Sequence, residues 1–142
     1  MAAKSKGPAI PEGYKRLSGS ERPRPSASRY LGPVDASEQI SATLILRQKP
    51  GSPALPGHEH WDNTPPGQRQ FLSPQQYAET YGASPADIDA VTAFVSSHGL
   101  RILEAHPGRR TISISGSASQ VNGAFGIQLN RYQTPRLEYR SR

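Results

Sequence analysis

Four histidines, His58, His60, His98 and His106, are the residues of this chain with the widest chemical repertoire. His58 and His60 flank Glu59, but a His-Glu-His triplet lacks the i,i+4 spacing that sets two imidazoles on one helix face around zinc. The triplet also falls in a proline-rich stretch, so no metal site is expected there. His98 is expected at the end of a helix, where the dipole favours a cation. No serine stands in a Gly-x-Ser-x-Gly setting, and Gly116-Ser117 reads as a strand end followed by a helix cap. Gly123 and Gly126 come late in a helix rather than before one, which excludes a phosphate-binding loop. Arg109-Arg110 follow a turn and are expected at a solvated hairpin end. With no cysteine in 142 residues, disulfides and thiolate metal sites are excluded. The chain has no catalytic constellation and calls for no cofactor.

What the sequence does specify is a scaffold. Residues 39–48 alternate as a strand, with Ile40, Ala42, Leu44 and Leu46 on one face and Ser41, Thr43, Ile45 and Arg47 on the other. Pro50-Gly51 ends it. Ser73-Pro74-Gln75-Gln76 and Ser84-Pro85-Ala86-Asp87 each supply an N-cap and a proline at the first helical position. The first helix stops at Gly82. The second runs to about His98, with Ile88, Val91, Phe94 and Val95 on one stripe and Gly99 to end it. Residues 100–105 and 110–115 read as strands joined by a Pro107-Gly108 turn. Ser117 caps a third helix, with Ala118, Val121, Ala124 and Phe125 on its apolar side, and a last strand spans 127–133.

This β-α(α)-β-β-α-β order predicts an α+β, ferredoxin-like split βαβ fold, with one four-stranded antiparallel sheet and helices on one face. The inward set is Ile40, Leu44, Leu46, Leu100, Ile102, Ile112, Ile114, Ile127 and Leu129. The opposite face then carries Thr43, Ile45, Leu103, Thr111, Ser113, Ser115, Gln128, Asn130 and Tyr132. It is small and polar apart from Ile45, Leu103 and Tyr132. Such a face is either a solvated sheet surface or a flat docking surface for another protein.

Composition sets the boundaries. Hydrophobic residues make up 34% of the chain, and ten of its 14 prolines precede Gln68. Residues 1–36 are expected to be a flexible Pro/Gly/basic leader and 37–142 the domain. Residues 49–72 form a loop longer than most connections, either disordered or functional, with Leu55, Trp61 and Phe71 as local anchors. The formal charge of +6 sits mainly at the two ends, a dipolar pattern that is weaker evidence for nucleic acid than a continuous stripe. RNA-recognition motifs share this topology but stack bases on aromatic side chains of the central strands. Here residues 41–46 and 110–115 have none, so no specific nucleic acid is expected. No run reaches transmembrane length, and the first residues show no apolar signal-peptide core.

Two segments carry a family resemblance. LSPQQYAETYGASPADIDAVTAFVSSHGL from Leu72 and RRTISISGSASQVNGAFGIQLNRY from Arg109, with the strand at 40–47 before them and Tyr139-Arg140 after, resemble the N-terminal activation (pro-) domain of sedolisin, or kumamolisin-like, serine-carboxyl peptidases. The resemblance covers about residues 30–142. It implies a propeptide that helps its peptidase fold and masks the active site until acid triggers processing. It places the catalytic Glu, Asp and Ser, the oxyanion Asp and a calcium site in the domain that follows. The chain is therefore expected not to hydrolyse peptides by itself, to partner a sedolisin-type catalytic domain in cis or in trans, and to act outside the cell. The linker that approaches the substrate cleft in the family is expected to be missing here.

On this reading Thr43, Ile45, Leu103, Ser113, Asn130 and Tyr132 are the docking residues. Asp87, Asp89, Glu104, His98 and His106 are the acid-sensing ones, because protonation removes carboxylate charge and adds imidazolium charge at the contact. The competing expectation is a stand-alone ferredoxin-like module that binds protein or nucleic acid through its basic ends; fold alone does not separate the two.

Overall fold

The computed structural model describes residues 10–19, 24–25 and 27–142; the other positions of the expected leader lie outside them. In chain order the elements are strands β1 (Arg29–Pro33) and β2 (Gln39–Ile45), helices α1 (His58–Asp62), α2 (Pro74–Tyr81) and α3 (Pro85–Ser97), strands β3 (Arg101–His106) and β4 (Thr111–Ser117), helix α4 (Ala118–Phe125), and strands β5 (Asn130–Gln133) and β6 (Glu138–Ser141). The chain divides into two compact units, residues 1–40 with 116–142, and residues 41–115.

The longer helices begin where their caps require. Ser73 Oγ accepts from the Gln76 amide while Gln76 Oε1 accepts from the Ser73 amide, a complete capping box. Ser117 and Gln120 repeat it at α4. At α3 only half is present, with Ser84 Oγ accepting from the Asp87 amide. Each cap satisfies an otherwise orphaned amide and contributes about 1 kcal/mol. Helix α4 closes on Gly126 at φ 60°, a left-handed position where glycine carries no Cβ penalty.

In the unit of residues 41–115 the sheet order is β2-β4-β3. Alternation along β4 decides its faces: Ile112 and Ile114 are each 1% exposed, whereas Thr111, Ser113 and Ser115 are half-buried. Helix α3 packs on β3, and Val95, at 0% exposure, joins Leu46, Tyr81, Ala83 and Leu100 in this core. Burying each of the larger side chains stabilises by about 1.5–3 kcal/mol. The β3–β4 turn closes with the Arg110 amide donating to Pro107 O at 3.1 Å, and Arg110 takes φ 56°, which is uncommon outside glycine.

The long loop is ordered by polar contacts. Ser52 Oγ donates toward Lys49 O and Thr80 O, and Arg69 bonds to Thr64 O and Trp61 O. Trp61 and Phe71 stack on each other at 5.7 Å, and Phe71 and Leu55 are exposed.

The other unit corrects two expectations. Residues 29–33, assigned by composition to the leader, form β1. The expected last strand at 127–133 is strand only from Asn130, and β5 hydrogen-bonds to β1 on one side and β6 on the other. The observed pairing therefore makes two three-stranded sheets, not the predicted single sheet of four. Locally, the amides of Ile127 and Leu129 are taken by Asn122 O and Asn122 Oδ1. That ties the segment after Gly126 to α4 and delays the strand. Among the described residues of this unit, Val34, Ile40, Ala118, Val121, Ala124 and Tyr132 are the buried hydrophobic ones.

Sheet β1-β5-β6 is two-faced. Its register sets Tyr30 opposite Tyr132 and Tyr132 opposite Tyr139. The three rings form a ladder, with centroids 5.7 and 5.5 Å apart. Arg24 lies 4.5 Å over the Tyr132 ring and donates to its hydroxyl at 3.0 Å, and Ser28 and Tyr139 hydroxyls bond at 2.7 Å. The opposite face carries Arg29, Arg131, Gln133, Glu138 and Arg140 by the same register.

Candidate docking face

The face of the β2-β4-β3 sheet opposite Ile112 and Ile114 is the candidate site. Its centre is β4, with Thr111, Ser113 and Ser115. On one side β2 contributes Thr43, whose hydroxyl lies 3.5 Å from that of Ser113, and Ile45, 78% exposed. On the other side β3 pairs Arg101 with Ser115, Glu104 with Ser113 and His106 with Thr111. Between Ile102 and Glu104 the register shifts by one residue. This bulge sets Leu103 and Glu104 together opposite Ser113, and side chains of two residues opposing one emerge on the same side. Leu103 is 56% exposed. The result is a polar strip of small hydroxyl side chains with an exposed aliphatic residue on either flank and Arg101, Glu104 and His106 along one edge.

The predicted docking residues therefore divide. Thr43, Ile45, Leu103 and Ser113 share this face. Asn130 and Tyr132 belong to the other sheet, and Tyr132 is only 4% exposed, buried in the tyrosine ladder. It has no free surface to offer a partner.

The acid-sensing candidates divide as well. Glu104 and His106 stand on the face, where His106 Nδ1 accepts from the Arg109 amide at 3.2 Å. Protonating that nitrogen removes the bond. Asp89 is exposed on α3. His98 Nδ1 bonds to Phe94 O at 2.9 Å, closing the end of the same helix. Asp87 is engaged inside the domain: Arg47 Nε and Nη2 donate to its two carboxylate oxygens at 2.8 and 2.9 Å. Hydrogen bonding from Arg47, with desolvation opposing and Ser84 adding, holds the Asp87 carboxyl below the usual range.

A depressed carboxylate contributes stability above its unfolded pKa and loses it as pH falls through its folded pKa. Asp87→Asn is thus expected to lower the melting temperature at pH 7, and the gap from wild type to close as pH falls through the depressed Asp87 value. A gap that persists unchanged into strong acid would contradict the assignment.

Sequence reasoning missed Arg101 as a member of the face and the bulge that moves Glu104 onto it; strict alternation from Ile102 turns Glu104 inward. It also missed the Arg47–Asp87 pair, whose members lie 40 positions apart. Electrostatically this unit is balanced, with six basic and six acidic side chains, so the whole +6 resides in residues 1–40 and 116–142. Among the described residues no helix is long and apolar enough to cross a membrane.

The fold and this face define an α+β domain with a hydroxyl-rich sheet face flanked by exposed Ile45 and Leu103. The family described as Pro-kumamolisin, activation domain, matches residues 26–142, and the chain belongs to that family. Tripeptidyl-peptidase sed5 of Aspergillus fumigatus is 35% identical over 117 residues, covering 82% of this chain and 20% of the relative. Kumamolisin of Bacillus sp. (strain MN-32) is 32% identical over 125 residues, covering 88% and 23%. Xanthomonalisin of Xanthomonas sp. (strain T-22) is 30% identical over 70 residues, covering 49% and 8%. The chain thus spans about a fifth of the length of the first two relatives.

Proposed function

We propose that this chain serves as the propeptide of a sedolisin-type serine peptidase, assisting the folding of the catalytic domain, covering its active site and leaving it at acid pH. The observation that carries the reading is the activation-domain match across 26–142, in a chain whose exposed sheet face presents Ile45 and Leu103 beside small hydroxyls. A sheet face of this kind suits a stable protein contact: aliphatic anchors supply desolvation, and short Thr and Ser side chains let the partner approach closely. The chain is non-catalytic in this role, the peptidase chemistry belonging to the domain it covers, and the zymogen acts outside the cell. Acid acts on the contact through Glu104 and His106, whose charges both shift in the positive direction on protonation.

The test is association of the chain with a sedolisin-type catalytic domain between pH 7 and pH 3, read as affinity and as inhibition of peptide hydrolysis. The reading expects binding and inhibition at pH 7 that decline with acid. Affinity constant across that range would remove acid release, and no binding at pH 7 would remove the propeptide role. Binding to single-stranded nucleic acid is expected to be weak, non-specific and steeply salt-dependent; tight sequence-selective binding would favour the stand-alone module instead.

A further inference from the structure

Two arginines on neighbouring strands face each other in the β1-β5-β6 sheet: Arg131 and Arg140 are direct cross-strand partners. Like charges directly opposite each other destabilise a strand pair. Here they are reconciled by one carboxylate. Glu38, in the turn before β2, bonds through Oε2 to Arg131 Nη2 and through Oε1 to Arg140 Nη1, the latter at 2.9 Å. Glu38 is the least exposed member of the cluster, its side chain at 24% against 41% and 46% for the arginines. Arg131 also donates to Glu138 at 2.7 Å.

We propose that Glu38 is an acid-sensitive latch that holds the β5–β6 hairpin closed. With Glu38 ionised, each arginine has a carboxylate oxygen of its own and the strands tolerate their register. With Glu38 protonated, the bridge loses its charge, and Arg131 and Arg140 are left opposed across the hairpin. Among the described residues the charged groups facing Glu38 are Arg131, Arg140, Glu138 and, through its proximity to Arg131, Asp35; Arg29 stands one strand further along the same face. Asp35 is held below its usual range chiefly by the Ser37 hydroxyl and amide, and among the described residues Glu138 reaches only Arg131 and Glu38 alone spans both arginines. The latch is internal to this unit and does not depend on what the other sheet docks against.

Amide hydrogen exchange on the full chain tests it, as protection factors corrected for the intrinsic pH dependence of exchange. At pH 7, Glu38→Gln is expected to lower the protection of the β5–β6 amides by about tenfold, the scale of a lost charge-assisted hydrogen bond. Protection of α3 should be unchanged. Adding Arg140→Gln to Glu38→Gln should restore it, because the repulsion is gone; a purely steric or hydrogen-bonding role for Glu38 would not be rescued. Wild type should lose hairpin protection in acid, and the single variant Arg140→Gln should lose much less, a comparison that stands even if Glu38→Gln folds poorly. Unchanged protection in Glu38→Gln, absence of rescue by Arg140→Gln, or equal acid losses in wild type and Arg140→Gln would each overturn the latch.

Discussion

Replacing Gly82 by alanine is expected to destabilise the chain by about 3 kcal/mol, the upper range for forced overpacking, and to lower the melting temperature accordingly. Gly82 closes α2, its amide donating to Ala78 O at 2.9 Å. A Cβ built there meets the Ala78 carbonyl oxygen well inside van der Waals contact and Pro107 O at 2.9 Å. Both obstacles are backbone, so neither can rotate away. Both are also committed: Ala78 O accepts from the Gly82 amide and Pro107 O from the amides of Ala83 and Arg110, while Gly82's own carbonyl accepts from the Lys49 amide. Any shift therefore spreads to the end of α2, the start of the long loop and the β3–β4 turn. The backbone angles of Gly82, φ −69° and ψ −178°, are open to alanine, so the effect is steric and not conformational. Thermal unfolding of Gly82→Ala checks this, and a melting temperature equal to wild type would show that the α2 terminus is looser than the contacts imply.

The second large effect is at Tyr132. Tyr132→Ala is expected to cost about 3 kcal/mol or more, the range for deleting a buried aromatic. It removes the central rung between Tyr30 and Tyr139 and leaves the Arg24 guanidinium without its ring and hydroxyl partner. Tyr132→Phe keeps the rungs and loses only the Arg24 hydrogen bond, so its cost should be about 1 kcal/mol. Denaturant unfolding of the pair separates ladder from hydroxyl. Equal losses in both variants would place the stabilisation in the hydroxyl and not in the rings. A docking residue would behave differently, reducing affinity while sparing stability.

Tyr132 also shows where the sequence is legible and where it is not. Strong periodicity and local capping chemistry can be read directly: Ile112 and Ile114 alternate with hydroxyl residues, and Ser73, Ser84 and Ser117 start their helices as their neighbours require. What fails is parity carried across an interruption. Ile127 and Leu129 set an alternation that turns Tyr132 toward the free face, but these residues are held by Asn122, and the strand begins afresh at Asn130. Strict alternation from Ile102 likewise turns Glu104 inward, and the bulge at Leu103 restores it to the surface. Strands β1 and β6 were concealed by composition: one lies in a Pro/Gly/Arg-rich stretch and the other in a basic tail. Each takes its strand character from partners about a hundred positions distant or across a hairpin. Long-range ion pairs such as Arg47–Asp87 and Glu38–Arg131 have no local signature at all.

The division of the predicted docking residues sharpens the functional reading. Four of the six stay together, the exposed Ile45 and Leu103 among them, and Tyr132 becomes an internal control on the same chain. The measurement that addresses this most directly is the affinity of a sedolisin-type catalytic domain for wild type, Ile45→Asp and Leu103→Asp at pH 7, with melting temperatures recorded alongside. Burying an unpaired carboxylate in a contact costs several kcal/mol, so each variant should bind about 100-fold more weakly or worse at near-wild-type stability. Undiminished affinity in both variants would contradict the account and move the contact away from this sheet.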